Sequence, residues 1–281
     1  MMNDAPRPQQ IAFAKFRQLH SSGCFLLPNP WDLGTAIYLQ HVGFQALATT
    51  SAGYAFSRGR PDGGVSRDEM LAHIGEVVAA TPLPVNADFL NGFADSAEEA
   101  AKNVTRCIAT GVAGLSIEDS TGRSDPPLYD RGLAVERIVA ARRAIDSSGT
   151  PVVLTGRCEA FLVDHPDPMK TVLDRLVAYA EAGADCLYAP GVTEPRDIAT
   201  VVKAVAPKPV NVLVSGFNSQ LEVAQLADLG VRRISVGSGL ALAAWGAFTR
   251  AARAILDQGN FGLLASGARS VELNELFHQR A

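Results

Sequence analysis

Pro84-Val85-Asn86-Ala87-Asp88-Phe89-Leu90-Asn91-Gly92-Phe93 is a short apolar run behind prolines that ends in two polar residues spaced by two and breaks at a glycine. In a strand, positions i and i+2 share a face. Asn86 and Asp88 therefore point the same way from the C-terminal end of one strand, where a parallel α/β barrel carries its chemistry. Taken alone, the stretch reads equally as a strand-to-helix loop with an Asp capping the next helix. Partners at other strand ends decide between the two.

Working outward, short apolar runs recur on both sides: Phe25-Leu26-Leu27, Ala46 to Thr50, Val112 to Glu118, Pro151 to Thr155, Cys186 to Ala189, Pro209 to Val214 and Arg233 to Val236. Between them lie stretches of helical period, over 31–42, 66–80, 95–110, 134–147, 168–182, 195–205, 218–229 and 240–257. Ser66 with Glu69 three residues later forms a capping box. The run at 46–50 is followed by a Gly-, Arg- and Ser-rich stretch over 51–64, long enough for a functional loop. Eight runs alternating with helical segments predict a single (β/α)8 TIM barrel occupying residues 1–281 as one domain. It carries a flexible tail over 1–8, an extra N-terminal helix over 9–20 and a C-terminal helical extension over 259–281. A doubly wound sheet is the alternative, but neither GxGxxG nor GxxxxGK[ST] is present.

Composition narrows the partners. With 25 Lys and Arg against 29 Asp and Glu, the formal charge is −4 and no block of like charges appears, which points away from nucleic acid and anionic membrane surfaces. Cys24, Cys107, Cys158 and Cys186 are scattered, without ligand spacing, and read as buried thiols of a reducing compartment. No basic-then-apolar leader and no uninterrupted apolar stretch of ~18 residues occurs, so a soluble cytoplasmic protein is expected.

In a barrel the strand ends bring together Ser51 and Asp62 from the second loop, Asn86 and Asp88 from the third strand, Glu118 and Asp119 from the fourth, and Arg157 and Glu159 from the fifth. Lys15, Lys102, Lys170, Lys203 and Lys208 fall on helices or before the seventh strand, which removes a Schiff-base lysine. His20, His41, His73, His165 and His278 fall on helices or outer loops, which counts against imidazole base chemistry and a histidine zinc site. Several carboxylates without His or Cys favour a hard divalent cation such as Mg2+, which would polarise a substrate carbonyl. Arg157 could fork onto a substrate carboxylate. Each acid taken singly reads as a helix cap or a surface ion pair; their arrival at successive strand ends favours a site. Ser215-Gly216-Phe217-Asn218 and Gly237-Ser238-Gly239 could cradle a phosphate, or simply make tight turns.

Pro28-Asn29-Pro30-Trp31-Asp32, Thr50-Ser51, Asp62-Gly63, Asn86-Ala87-Asp88 with Asn91-Gly92, Gly114 to Asp119, Gly156-Arg157 with Glu159 and Phe161, and Ala182 to Asp185 follow one another in an order that resembles the isocitrate lyase/phosphoenolpyruvate mutase superfamily. The resemblance implies a barrel using Mg2+, with Mn2+ as the alternative, that makes or breaks C–C or P–C bonds beside an α-oxo carboxylate. It implies that Ser51 and the backbone of Ala52 hold substrate oxygens, that Asp62, Asp88 and Glu118 form the metal shell, and that Arg157 and Asn211 bind substrate. Asn86 stands where the family commonly has a metal-side Asp, so an amide oxygen would replace a carboxylate there. It further implies a homotetramer whose last barrel helix is exchanged between subunits.

Residues 120–127 replace the Cys-containing loop of the isocitrate and methylisocitrate lyases, and Tyr188-Ala189-Pro190 stands where the phosphonate enzymes carry a His. The expected function is a carbon–carbon lyase acting on a small α-oxo or 2-hydroxy carboxylate through a metal-stabilised enolate, with Ser51, Arg157 and Glu118 as its catalytic residues. Decarboxylation of an oxaloacetate-like acid asks least of the missing loop. The alternatives are a P–C mutase or hydrolase and a metabolite-binding barrel without turnover.

Overall fold

The computed structural model describes residues 8–216 and 218–278; of the tail expected over 1–8, residues 1–7 lie outside the described residues, as do Phe217 and residues 279–281, while Pro8 already opens the first helix. Eight parallel strands, β1 (Phe25–Leu27), β2 (Leu47–Ala48), β3 (Val85–Asp88), β4 (Gly114–Glu118), β5 (Val153–Arg157), β6 (Cys186–Tyr188), β7 (Val210–Leu213) and β8 (Arg233–Ser235), pair in the order 1-8-7-6-5-4-3-2. The remaining gap between β1 and β2 is bridged by the Ala48 N–H, which donates to Pro28 O at 3.0 Å. Asn29 completes the seam: its Nδ2 donates to Thr49 O at 2.8 Å, and its Oδ1 accepts the N–H groups of Val236 and Gly237. Helices α1 (Pro8–Ser21), α2 (Leu33–His41), α3 (Ser51–Ser57), α4 (Arg67–Ala79), α5 (Ala97–Ala109), α6 (Arg131–Ser148), α7 (Pro168–Glu181), α8 (Pro195–Val205), α9 (Val223–Asp228), α10 (Gly239–Gln258) and α11 (Ser270–His278) complete the chain with a short 3-10 helix at Gly262–Ser266. This is the (β/α)8 barrel read from the apolar periodicity.

The strands alternate as half-wrapped parallel strands must: outward residues such as Leu115, Ile117, Leu154 and Leu187 meet the helices in the main core, and inward residues fill the barrel. Its N-terminal mouth is stopped by α1, whose Phe16 packs among Phe25, Leu27, Ala48, Ala113 and Val153. Gly114 makes that plug possible, because a Cβ there would stand 2.5 Å from the Phe16 ring and 2.7 Å from Asn86 Oδ1. Helix starts follow local chemistry: Ser66 and Glu69 form the expected capping box of α4, and Ser96 caps α5 ahead of Glu98 and Glu99.

Two segments differ from the sequence reading. Residues 51–57, expected to be loop, form α3, capped by the Thr50 hydroxyl, which accepts the Gly53 N–H at 3.2 Å. Ser and Gly carry low helix propensity, and seven residues are too few to show a period. Conversely, the helix expected over 218–229 shortens to Val223–Asp228, because the Asn218 amide is spent on a turn, accepting Ser215 N–H and donating to Leu213 O at 2.8 Å each.

After β8 the chain leaves the barrel wall. Helix α10 and the segment beyond it expose Trp245, Phe248, Leu256, Phe261 and Leu264, Leu256 by 85% and Phe248 by 63%. Helix α11 folds back on α2, with the Phe277 ring 3.6 Å from where a Gly34 Cβ would stand. Among the described residues no helix is long and apolar enough to cross a membrane.

Candidate active site

The C-terminal mouth opens into a cavity of about 360 Å³ lined on one side by Ser51, Ala52, Asp62, Asn86, Asp88 and Arg157, and on the other by Tyr188, Asn211, Leu213, Arg233 and Ser235. The strand period decides this membership: Asn86 and Asp88 both face inward, as do Ser116, Asn211 and Ser235.

Asp88 is the junction of the first wall. Its Oδ2 accepts the N–H of Ser51, the first residue of α3, at 2.9 Å, and its Oδ1 accepts from Arg157 Nη1 at 3.2 Å. Arg157 Nη1 also stands 3.4 Å from Glu118 Oε2, while its Nε donates to Glu159 Oε1. Its guanidinium lies 5.1 Å from the centroid of the Tyr188 ring. Burial opposes the charge of Arg157, yet Glu159 and Glu118 hold its pKa well above the ordinary value. The cation is therefore fixed by three carboxylates.

The carboxylates outnumber it. Burial, with the charges of Glu159, Asp88 and Asp62 adding and only Arg157 opposing, holds Glu118 well above the usual carboxylate range. Burial and then Asp88 raise Asp62, against which a hydrogen bond from Ser51 acts. Burial raises Glu159 as well, with Arg157 opposing. Such a set is short of positive charge.

At this site two buried oxygens make no hydrogen bond among the described residues, Asn86 Oδ1 and Glu118 Oε2, the latter having only its ion-pair contact with Arg157. Both are hard oxygens, and with Asp62 and Asp88 they suit a hard divalent cation. No group of three His, Cys, Asp or Glu side chains among the described residues is gathered closely enough to hold an ion directly.

Some expected site residues stand elsewhere. Glu118 is not part of the cavity lining, though its Oε2 stands 3.4 Å from Arg157 Nη1 and it feels the charges of Asp88 and Asp62. Asp119 turns outward: its Oδ2 accepts from Arg175 at 3.0 Å and from the Tyr179 hydroxyl at 2.8 Å, and its Oδ1 takes the N–H of Glu159 at 2.8 Å. It orients the residue that grips Arg157 without reaching the cavity. The loop over 120–127 contributes nothing to the lining; Thr121 is tied to Pro126 O and Pro127 O, and Arg123 pairs with Asp95 at 3.0 Å. At the ends of β7 and β8, where a phosphate cradle was one reading, the N–H of Ser215 goes to Asn218 and those of Val236 and Gly237 go to Asn29.

The second wall was partly missed by sequence reasoning. Asn211 was expected, and its amide is oriented on both sides, Oδ1 accepting from Arg233 Nε and Nδ2 donating to Ser235 Oγ, each at 2.9 Å. Because Arg is donor-only, this fixes which end of the amide is oxygen. Arg233, Ser235 and Ser116 are absent from the sequence-based set, and Tyr188 enters it only as the residue standing where the phosphonate enzymes carry a His. The signal available was alternation: Arg233 and Ser235 share a strand face, which in a barrel must be the interior or the helix layer.

The phosphoenolpyruvate phosphomutase family model matches residues 16–256. The chain is 36% identical over 247 residues to an uncharacterized protein of Mycobacterium tuberculosis (strain H37Rv), covering 86% of this chain and 89% of that one. It is 34% identical over 168 residues to the 2-methylisocitrate lyase of Salmonella typhimurium, covering 57% of this chain and 55% of that enzyme. A solved structure of a candidate lyase/mutase from Burkholderia cenocepacia J2315 superposes with a TM-score of 0.94 at 47% identity, covering 97% and 98% of the two chains. The chain thus belongs to the phosphoenolpyruvate mutase family, within the isocitrate lyase/phosphoenolpyruvate mutase superfamily of lyases and mutases.

Proposed function

We propose that this protein is a divalent-metal-dependent lyase that cleaves a C–C bond next to an α-oxo or 2-hydroxy carboxylate. The observation that carries the reading is the continuous contact from Ser51 through Asp88 and Arg157 to Glu118 at the barrel mouth. A cation, Mg2+ or Mn2+, held through Asp62, Asn86, Asp88 and Glu118 would supply Lewis-acid polarisation of the substrate carbonyl.

The chain's own groups do the rest. Arg157, locked by Glu159, Glu118 and Asp88, offers its remaining N–H groups to the substrate carboxylate in a fixed orientation. Ala52 lines the cavity as the second residue of α3, where a backbone N–H has no helical acceptor, and can donate to oxygen that becomes negative as an enolate forms. The Ser51 hydroxyl faces the same space beside Asp62. Asn211, pinned by Arg233 and Ser235, presents the far wall.

Loss of CO2 from an oxaloacetate-like acid needs an electron sink more than a positioned acid, and the loop over 120–127 places no group in the cavity. A P–C mutase is disfavoured by a lining whose only cations, among the described residues, are Arg157 and Arg233. We also propose a homo-oligomer built on the exposed apolar face of α10 and the segment after it. Purified protein is to be assayed with Mg2+ against oxaloacetate, longer 2-hydroxy di- and tricarboxylates and phosphonopyruvate. A 2-oxo acid released from the carbon acids supports the reading, and turnover of phosphonopyruvate alone overturns it.

A further inference from the structure

Arg233 is an unusual group to find beneath this cavity. It rises from β8 with 2% of its surface exposed, and every partner it has is a neutral acceptor. Nε donates to Asn211 Oδ1 at 2.9 Å, Nη2 to Thr155 Oγ1 at 3.0 Å, and Nη1 meets His20 Nε2 at 3.3 Å. His20 accepts there, because its Nδ1 stands 2.7 Å from Phe16 O, an acceptor that needs a donor. Burial, then the charge of Arg233, push the His20 pKa down to about 3, so the ring stays neutral. Among the described residues no carboxylate lies within ion-pair distance of Arg233, whereas Arg157 has three. A buried cation without a counter-ion is strongly disfavoured.

The cavity is thus polarised, with an excess of carboxylates on the wall of β3 to β5 and an uncompensated guanidinium on the floor of β8. Beside Arg233 stands Asn211, whose Nδ2 donates to Ser235 Oγ, and the Tyr188 hydroxyl lies against Ser235, so hydroxyl groups that can donate line the cavity next to the guanidinium. We propose that Arg233, with Tyr188 and Ser235, forms a carboxylate-binding subsite at the barrel floor that takes a second carboxylate of the substrate, one remote from the oxo group and retained in the product.

Retention follows from the chemistry. A guanidinium stabilises a carboxylate as the anion, so gripping the carboxylate that departs as CO2 would stabilise the ground state against the reaction. The subsite therefore selects, within the lyase reading on which it rests, acids whose remote carboxylate stays attached.

The test compares binding of paired small acids to the folded protein in Mg2+ by calorimetry. Succinate should bind at least tenfold more tightly than succinamate, in which one carboxylate is an amide, and Arg233→Gln should abolish that preference while changing oxalate affinity less than twofold. Equal binding of succinate and succinamate to the wild type overturns the subsite whatever the variant does, so a variant that fails to fold leaves the test intact. Equal loss of oxalate and succinate in a folded Arg233→Gln protein also overturns it, by making Arg233 a general counter-charge. Succinate preference without any oxalate binding would support the subsite and count against the metal-assisted lyase.

Discussion

Asp88 accepts the backbone N–H of Ser51 on one carboxylate oxygen, at 2.9 Å, and Arg157 on the other, at 3.2 Å. One side chain at the end of β3 thereby sets the position of the first turn of α3 and of the cavity's guanidinium. Replacing it should disturb substrate oxygen binding, carboxylate binding and the cation together. Asp88→Ala is expected to lower kcat/KM by at least about 100-fold, the scale of losing one preorganised electrostatic group, with loss of Mg2+-induced stabilisation in thermal melts. Full activity in the variant would remove Asp88 from the site.

Asn86 Oδ1 is buried beside Gly114 with no donor. Asn86→Asp places a charge where nothing compensates it, so the metal-free protein should lose about 1–3 kcal/mol. Mg2+ should then stabilise the variant more than the wild type, because the site gains a negative charge. An identical Mg2+ response in the two would place Asn86 outside the cation's reach.

The raised pKa values of Glu118, Asp62 and Glu159, each due first to burial, fix the sign of a pH effect on metal binding. Cation binding needs the ionised forms, so protons must leave before it binds, and affinity should rise with pH above the ordinary carboxylate range. Mg2+ titrations at several pH values between about 5 and 8 check this; affinity that falls with rising pH contradicts it.

Two buried histidines make the stability of the fold itself fall on acidification. Burial, then Arg233, lower His20 to about 3, and burial lowers His73 to about 4, with Asp32 opposing. The folded chain refuses protons that the unfolded chain takes up below about 6.5. Their stabilisation is therefore complete above about pH 6.5 and drains away as pH falls toward 4 and below. In a folded His20→Gln variant the acid slope of unfolding free energy should be shallower by up to about 1.4 kcal/mol per pH unit, one proton's worth. An unchanged slope would mean that His20 titrates normally.

The exposed apolar surface of Trp245, Phe248 and Leu256 on α10 makes an association test direct. Light scattering behind size exclusion should return a multiple of the 29.7 kDa chain mass. Phe248→Glu combined with Leu256→Arg should shift the protein toward monomer; a monomeric wild type at micromolar concentration contradicts the assembly.

What the sequence disclosed, and what it hid, follows from the range of each interaction. The strands were legible because apolar runs repeat locally, and the cluster of Ser51, Asp62, Asn86, Asp88 and Arg157 followed once a barrel fixed where strand ends meet. Helix α3 was hidden because its stabilisation is a Thr50 cap and a packed Gly53, with no period to display. The outward turn of Asp119 depends on Arg175 and Tyr179 more than 50 positions along the chain, as the neutral surroundings of Arg233 depend on His20 from the far end. No local pattern records contacts at that range.

Metal-assisted cleavage beside an α-oxo or 2-hydroxy carboxylate in the Asp88–Arg157 cavity requires both the cation and the Asp88 carboxylate. It is tested most directly by following 2-oxo acid release from the carbon-acid panel with Mg2+, after chelation, and in Asp88→Ala. Release that stops on chelation, returns with added Mg2+ and is lost in Asp88→Ala is the expected result. Release that survives both chelation and Asp88→Ala would contradict the account.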